Sequence, residues 1–397
     1  MEKCTGKGRC DYIDWLRVLG IICVFFFHNT RFFDMMDWEL KNKEIFLAST
    51  LLVMFVNFWI MPLFFILAGA SAGFALQSKT TIQYILERFW RLIVPYLFGI
   101  FILIPPQRYV GCLSTGRFSG TFLEFLPWYP GQRLFTVNFG FNPVWFGETG
   151  MHLWFLPFLF IFSVMALPII YYCKNESGAR HIKQLVAVGE KAWGLYLFVI
   201  PIACARIGLQ PIYTKYTSWA DFTFWFLIFM FGYLLFYDQR LIERVERHKY
   251  KSLGIGMALL GILIVLFTFF LDDLRKWWDF PDYSVGCIFF HIMWAITTWS
   301  WLMFFLGAGK TFLNFRNSWL SRLNEGIMPF YMLHQTIILL IGFQVIQWPI
   351  HALFKYVVIS SASFVVILAI YDLLIIRFNW LRILFGMKVF RSNESSA

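Results

Sequence analysis

Apolar runs long enough to cross a lipid bilayer recur along the whole chain, separated by short polar segments. A membrane-spanning helix needs roughly 20 consecutive apolar residues. Ten stretches are read as spans: 13–33, 46–76, 92–109, 151–172, 192–208, 221–237, 252–271, 285–308, 326–348 and 355–376. The pattern predicts an all-α fold, a polytopic membrane bundle of about ten transmembrane helices forming one integral membrane domain over residues 1–397. Two stretches break the regularity. Residues 45–77 are too long for one straight span and contain Pro62, which predicts a kinked helix or an interfacial helix followed by a span. Residues 110–150 form the longest loop, rich in Gly, Pro and aromatic residues. Loops of that length are usually functional or disordered, and the aromatic content argues against disorder.

Composition supports the membrane reading. Hydrophobic residues make up 59% of the chain and charged residues only 14%, against about 25% charged in soluble domains. The net charge is +11, but the basic residues lie between apolar runs rather than in a patch, so no nucleic-acid partner is expected. Segments 1–17, 77–91, 173–191, 238–251, 309–325 and 377–397 hold 23 of the 34 Lys and Arg residues. By the positive-inside rule these face the cytosol, which puts both termini there, with 377–397 as a cytosolic tail. The expected location is the cell (plasma or inner) membrane, as a multi-pass protein. Segments 34–44 and 272–284 are acidic and aromatic, as befits the opposite face. The first run lacks a small-residue cleavage site and is expected to remain as the first span. The seven cysteines are scattered without metal or CxxC spacing, so neither a disulfide framework nor a metal site is indicated.

Ionisable groups inside spans are functional candidates by default. The first span carries Arg17 and, eleven residues later, His28. Eleven residues are three helical turns with about 20° of drift and about 16 Å of rise, so both face one way at two depths. That arrangement suits a long substrate with an anionic end, such as coenzyme A, whose thioester would reach an imidazole able to move a hydroxyl proton near neutral pH. The plainer alternative has Arg17 snorkelling and pairing with Asp14 while His28 caps the helix. Arg88 and Arg91, three apart at the cytosolic end of the third span, share a helical face. They act either as a positive-inside anchor or as a phosphate fork. Glu148 and His152 are four apart, a spacing that lets the carboxylate orient the ring, or they form an interfacial cap. His334 lies mid-span beside Tyr331, where it either bonds a backbone carbonyl or reaches another helix.

Arg17-x10-His28 after a DWLR start resembles the signature of the acyltransferase-3 family of membrane O-acyltransferases. Further segments match in order: Met61-Pro62-Leu63-Phe64-Phe65-Ile66-Leu67-Ala68-Gly69, Arg88-Phe89-Trp90-Arg91 followed by Pro95, His152-Leu153-Trp154-Phe155-Leu156, Tyr331-Met332-Leu333-His334, and Leu384-Phe385-Gly386-Met387-Lys388. The resemblance is greatest to the glucan biosynthesis succinyltransferase branch. It implies an acyl-CoA-dependent enzyme that moves an acyl group, acetyl or succinyl, from cytosolic acetyl-CoA or succinyl-CoA to a hydroxyl of an extracytoplasmic glycan or other cell-surface acceptor. It further implies that Arg88 and Arg91 hold the donor phosphates, that His28, with Arg17, is catalytic, and that Glu148, His152, Trp154, Tyr331 and His334 lie in the acceptor or supporting set. The chain departs from the pattern at Ala68, where the family usually has Ser; Ser71 is the substitute at hand. The donor is a substrate, and no tightly bound cofactor or metal is implied.

The loop aromatics Trp128, Tyr129, Trp145 and Phe146 suit an interfacial belt or a sugar platform, with Arg108 and Arg133 as further acceptor-facing candidates. Two readings compete with an enzyme: a membrane transporter for an anionic metabolite, and a non-catalytic sensor or assembly protein. Against the first, no paired halves or matching broken helices are evident.

Overall fold

The structure, a computed structural model, describes residues 10–133 and 142–389. The elements are α1 (Asp11–Thr30), α2 (Leu47–Ser78), α3 (Thr81–Ser114), α4 (Phe122–Arg133), α5 (Val144–Lys174), α6 (Glu176–Gly189), α7 (Gly194–Leu209), α8 (Trp219–Tyr237), α9 (Gln239–Phe269), α10 (Leu271–Asp279), α11 (Val285–Phe312), α12 (Ser318–Val345), α13 (Ala352–Ile375) and α14 (Asn379–Leu384). No strand occurs among the described residues. In lipid every backbone amide must be satisfied within its own segment or a closed barrel, and helices meet that demand. Nine of the described helices are long and apolar enough to cross a membrane, or up to ten if the bent pair α6–α7, which turns by 118°, is one span. The chain is a multi-pass membrane protein of the expected class.

Helix ends differ from the apolar runs in an instructive way. α9 begins at Gln239 instead of 252 and α12 at Ser318 instead of 326. Charged residues end an apolar run but do not end a helix, because Arg, Lys and Glu are good helix formers. Asp238 caps α9 by accepting from Arg240 N at 3.0 Å, and Leu241, Ile242 and Val245 are buried on the inner face of that charged extension. α2 runs through Pro62 as one helix of 32 residues, about 48 Å long, so it tilts or projects from a core of about 30 Å. The long loop is also largely helical. Thr121 and Glu124 form a capping box at the start of α4: Thr121 N donates to Glu124 Oε2 at 2.7 Å and Glu124 N to Thr121 Oγ1 at 3.4 Å. Its aromatics pack on one another, with Trp128 5.3 Å from Phe118 and 5.4 Å from Phe125, and Tyr129 buried. The Arg133 side chain and residues 134–141 lie outside the described residues. Cys10 is disulfide-bonded, which its spacing did not suggest, and the other described cysteines are free.

The chain divides into two compact units: Met1–Gly20, Phe55–Ile85 and Ile161–Leu320 form the first, and Ile21–Met54, Leu86–Phe160 and Ser321–Ala397 the second. In the first unit α2 and α8 touch backbone to backbone. A Cβ on Gly69 would lie 1.8 Å from the Phe229 carbonyl oxygen, and one on Gly232 2.0 Å from that of Ile66. Small residues permit this approach, which dispersion and packing then stabilise. In the second unit α3 is widened twice into π-helical turns, Phe89–Ile93 and Gly99–Leu103, each just ahead of proline: Pro95, and Pro105 with Pro106. Proline cannot donate to the carbonyl four residues back and its ring crowds it, so the helix widens there. The second widened turn seats Gly99 against Leu153 of α5, where a Cβ would come within 2.1 Å.

Gly69→Leu is expected to lower the thermal midpoint of the detergent-solubilised protein by about 5 °C or more, since overpacking typically costs about 1–3 kcal/mol. Gly254→Leu, where a Cβ meets nothing within 4 Å, should leave it unchanged; equal shifts would contradict the close α2–α8 approach.

Candidate active site

The second unit gathers three of the candidate histidines. His28 lies at the end of α1, and its ring centroid is 5.0 Å from that of His334 on α12. His334 is in turn 5.1 Å from His152 on α5. Trp38 stacks on the other side of His28 at 6.0 Å with the planes 24° apart. The three rings are not arranged as ligands: among the described residues no group of three or more His, Cys, Asp or Glu could hold a metal ion.

Backbone carbonyls assign the proton positions. His152 Nε2 donates to the Met332 carbonyl at 3.2 Å and His334 Nδ1 to the Tyr331 carbonyl at 2.5 Å. A neutral imidazole that donates from one nitrogen keeps its lone pair on the other. His152 Nδ1 and His334 Nε2 therefore present bare lone pairs; both are buried without a hydrogen-bond partner, as is His28 Nδ1. Tyr331 completes a reciprocal clamp between α5 and α12, its hydroxyl donating to the His152 carbonyl at 2.5 Å.

The local backbone explains how His152 reaches this place. Residues Met151–Trp154 form a 3₁₀ turn, and Met151 has φ 45° and ψ −125°. A non-glycine residue there stores about 1–3 kcal/mol of strain, a feature concentrated at functional sites. The turn breaks the helical register between Glu148 and His152, so the pairing that their spacing suggested does not form. Met332 holds His152 instead, and the Glu148 carbonyl accepts from Arg108 at 2.8 Å. Tyr96 buttresses the turn, bonding Thr149 Oγ1 at 3.0 Å and filling the space that Gly150 leaves open. Trp154 is buried against Phe158 at 5.1 Å.

A buried carboxylate that sequence reasoning passed over orders the segment carrying Trp38. Asp34 is fully buried and takes Arg31 at 2.9 Å and Lys41 at 2.6 Å. Arg31 also donates to the Asp37 carbonyl at 2.5 Å, and Lys41 to the carbonyls of Arg31 and Asp34. Burial pushes both cations down from their ordinary pKa, and the Asp34 carboxylate opposes it. Glu39, next to Trp38, pairs with Arg108 at 2.7 Å, so Arg108 is held in an ion pair. Lys355 of α13 is buried and reaches Asn42 at 3.0 Å and the Ile346 carbonyl at 2.8 Å. The signal was present in the density of charges over residues 31–44, which a loop reading spreads into solvent.

Arg88 and Arg91 stand at the first widened turn of α3. The carbonyl of Arg91 faces Pro95, which has no N–H to give it, and the turn at Gly386 packs there instead. A Cβ on Gly386 would lie 2.8 Å from that carbonyl oxygen, and Arg91 Nε donates to the Gly386 carbonyl at 3.3 Å. Gly386, at φ +69°, closes α14 in a Schellman turn: Met387 N bonds the Arg382 carbonyl at 2.7 Å and Gly386 N that of Ile383 at 3.0 Å. Buried Arg382 ties this end to Glu325 at 2.6 Å. Arg17 belongs to the first unit. It donates to Asp14 at 2.9 Å, to the Leu67 carbonyl at 3.4 Å and to Ser71 Oγ, and Ser71 itself bonds the Leu67 carbonyl at 2.7 Å.

Asp34→Ala would leave buried Arg31 and half-buried Lys41 without their carboxylate, so stability should fall by about 3 kcal/mol. Amide exchange should rise first in residues 31–44. Unchanged exchange in that segment would contradict its ordering by Asp34.

Comparison with known proteins adds one match, to the acyltransferase domain family over residues 11–372. No curated protein and no solved structure matches the chain. The match covers nearly the whole chain and runs from before Arg17 to beyond His334, with Arg382 and Gly386 outside it. The chain belongs to the acyltransferase-3 family of membrane acyltransferases.

Proposed function

We propose that this membrane acyltransferase moves an acetyl or succinyl group from a cytosolic acyl-CoA to a hydroxyl of an extracytoplasmic glycan or other cell-surface acceptor, with His28 at the reacting centre. The observation that carries this reading is the imidazole cluster: His28 Nδ1 is buried and unpartnered in an apolar unit, 5.0 Å ring to ring from a second imidazole with a bare lone pair. As general base, a nitrogen of His28 takes the acceptor's hydroxyl proton. The oxygen attacks the thioester carbonyl, the C–S bond breaks, and the imidazolium returns the proton to the departing thiolate to give free CoA. As acyl carrier, His28 attacks first, CoA leaves, and the acceptor oxygen then displaces the imidazole. In both, His334 Nε2 offers a neighbouring site for a proton, and His152 with Tyr331 holds His334's helix in place.

Arg88 and Arg91 are the proposed seat of the donor phosphates. Fixing Arg91 Nε on Gly386 limits the rotamer freedom that a long side chain otherwise loses on binding, and leaves its terminal donors only a long contact to Glu87, 3.9 Å. Trp38, stacked on His28, would exclude water from the reacting atoms.

The test is free thiol release by the purified protein in nanodiscs, with acetyl-CoA or succinyl-CoA and a pool of surface glycans. His28→Ala should lower acceptor-dependent release at least about 100-fold, while CoA binding persists. Arg88→Gln and Arg91→Gln should each raise KM for the donor about tenfold with kcat little changed. A folded His28→Ala protein that keeps the parent rate, or a parent that neither binds CoA nor releases thiol, overturns the reading.

A further inference from the structure

The first unit holds a second buried polar cluster that the acyl-transfer reading does not use. Arg206, in the last turn of α7, is 93% buried, its relative exposure being 7%. Its guanidinium lies against two aromatic rings, 5.0 Å from the Phe224 ring centre and 4.8 Å from that of Trp294. One edge points to Asp221, in the first turn of α8, at 3.6 Å. That is well beyond the roughly 2.7–2.9 Å of a charge-assisted hydrogen bond, and Asp221 Oδ2 already accepts from Thr217 N at 3.0 Å. Its Nε is buried and has no hydrogen-bond partner.

His291 of α11 completes the cluster. It is 2% exposed, neither of its ring nitrogens has a hydrogen-bond partner, and Arg206 is the charged group whose field reaches it. Trp294, which covers Arg206, is three residues further along the same face of α11. Gln210, four residues after Arg206, keeps its side-chain oxygen buried and unpartnered as well. Buried unsatisfied polar groups cost about 1–3 kcal/mol each, and so many around one guanidinium call for a partner.

The cluster lies near the ends of its helices. Arg206 is three residues from the end of α7, Asp221 two residues into α8 and His291 six into α11. The connecting segments meet here, with Tyr283 Oη donating to the Gly208 carbonyl at 3.2 Å. The amino ends of α8 and α11 both contribute about half a positive charge each, which offsets the charge of an anion added beside the Arg206–Asp221 pair.

We infer that the Arg206–His291 cluster is a binding site for the carboxylate of a small organic acid. One of its oxygens accepts from the unpartnered Nε of Arg206, within the planar fork that a carboxylate matches, and one accepts from His291. A doubly charged phosphate would exceed the positive charge present. The site lies wholly in the first unit and does not depend on the acyl-transfer reading.

Isothermal titration of the full chain in nanodiscs with acetate, succinate and inorganic phosphate tests this. Acetate or succinate should bind saturably to the parent and to His28→Ala alike. Affinity should fall at least tenfold in His291→Leu and in the charge-neutral pair Arg206→Gln/Asp221→Asn. Absence of saturable carboxylate binding to the parent, binding of phosphate alone, or undiminished binding in either folded variant overturns the assignment.

Discussion

Two main-chain carbonyls, those of Tyr331 and Met332, hold the histidine cluster together. An imidazole in an apolar helix bundle must place its N–H on an acceptor or lose about 1–3 kcal/mol. These carbonyls take the protons of His334 Nδ1 and His152 Nε2. The consequence is chemical as well as structural, because each ring is left with its lone pair on the opposite nitrogen. The strained Met151 backbone, the 3₁₀ turn and the Tyr331 clamp all serve to keep His152 and α12 in that relation. His28 then meets a neighbour already set as a proton acceptor.

The same principle, that a backbone group denied its helical partner must find another use, recurs along α3. Prolines at 95, 105 and 106 remove donors, and widened turns appear just before them. At the first, the Gly386 turn packs against the Arg91 carbonyl and holds its side chain. Independently of the prolines, the Leu103 carbonyl of the second widened turn accepts from Gln107 Nε2 at 3.1 Å and Thr336 Oγ1 at 3.1 Å, tying α3 to the histidine helix α12. These contacts and the Arg382–Glu325 pair join α3, α12 and α14 in the second unit.

Much of this was legible in the chain itself. Apolar length marked the spans because lipid imposes a minimum run. Helix ends were not legible where charges follow an apolar stretch, as in 238–251, since charge marks the edge of the bilayer and not of the helix. α4 was readable from Thr121 and Glu124, but Pro127 and Pro130 suggested a loop. His28, His152 and His334, but not His291, stood out as ionisable groups in apolar runs. Their meeting did not, because residues 28, 152 and 334 lie on three helices and periodicity along one helix carries no information about its neighbours. Asp34 was hidden for a different reason: an acid in a short polar segment reads as solvated, and only the fold shows Arg31 and Lys41 closing on it. The likeness in ordered motifs brought Arg88, Arg91 and Gly386 into view; the physical tie between Arg91 and Gly386 required coordinates.

The central claim is that an imidazole at position 28 takes part in the bond changes of acyl transfer instead of merely filling space. Chemical rescue tests it most directly: thiol release by His28→Gly in nanodiscs, followed as imidazole is added to the medium. The account predicts a rate far below the parent that rises with imidazole and saturates, while CoA binding stays constant throughout. A folded, CoA-binding His28→Gly protein that works at the parent rate without imidazole would contradict it.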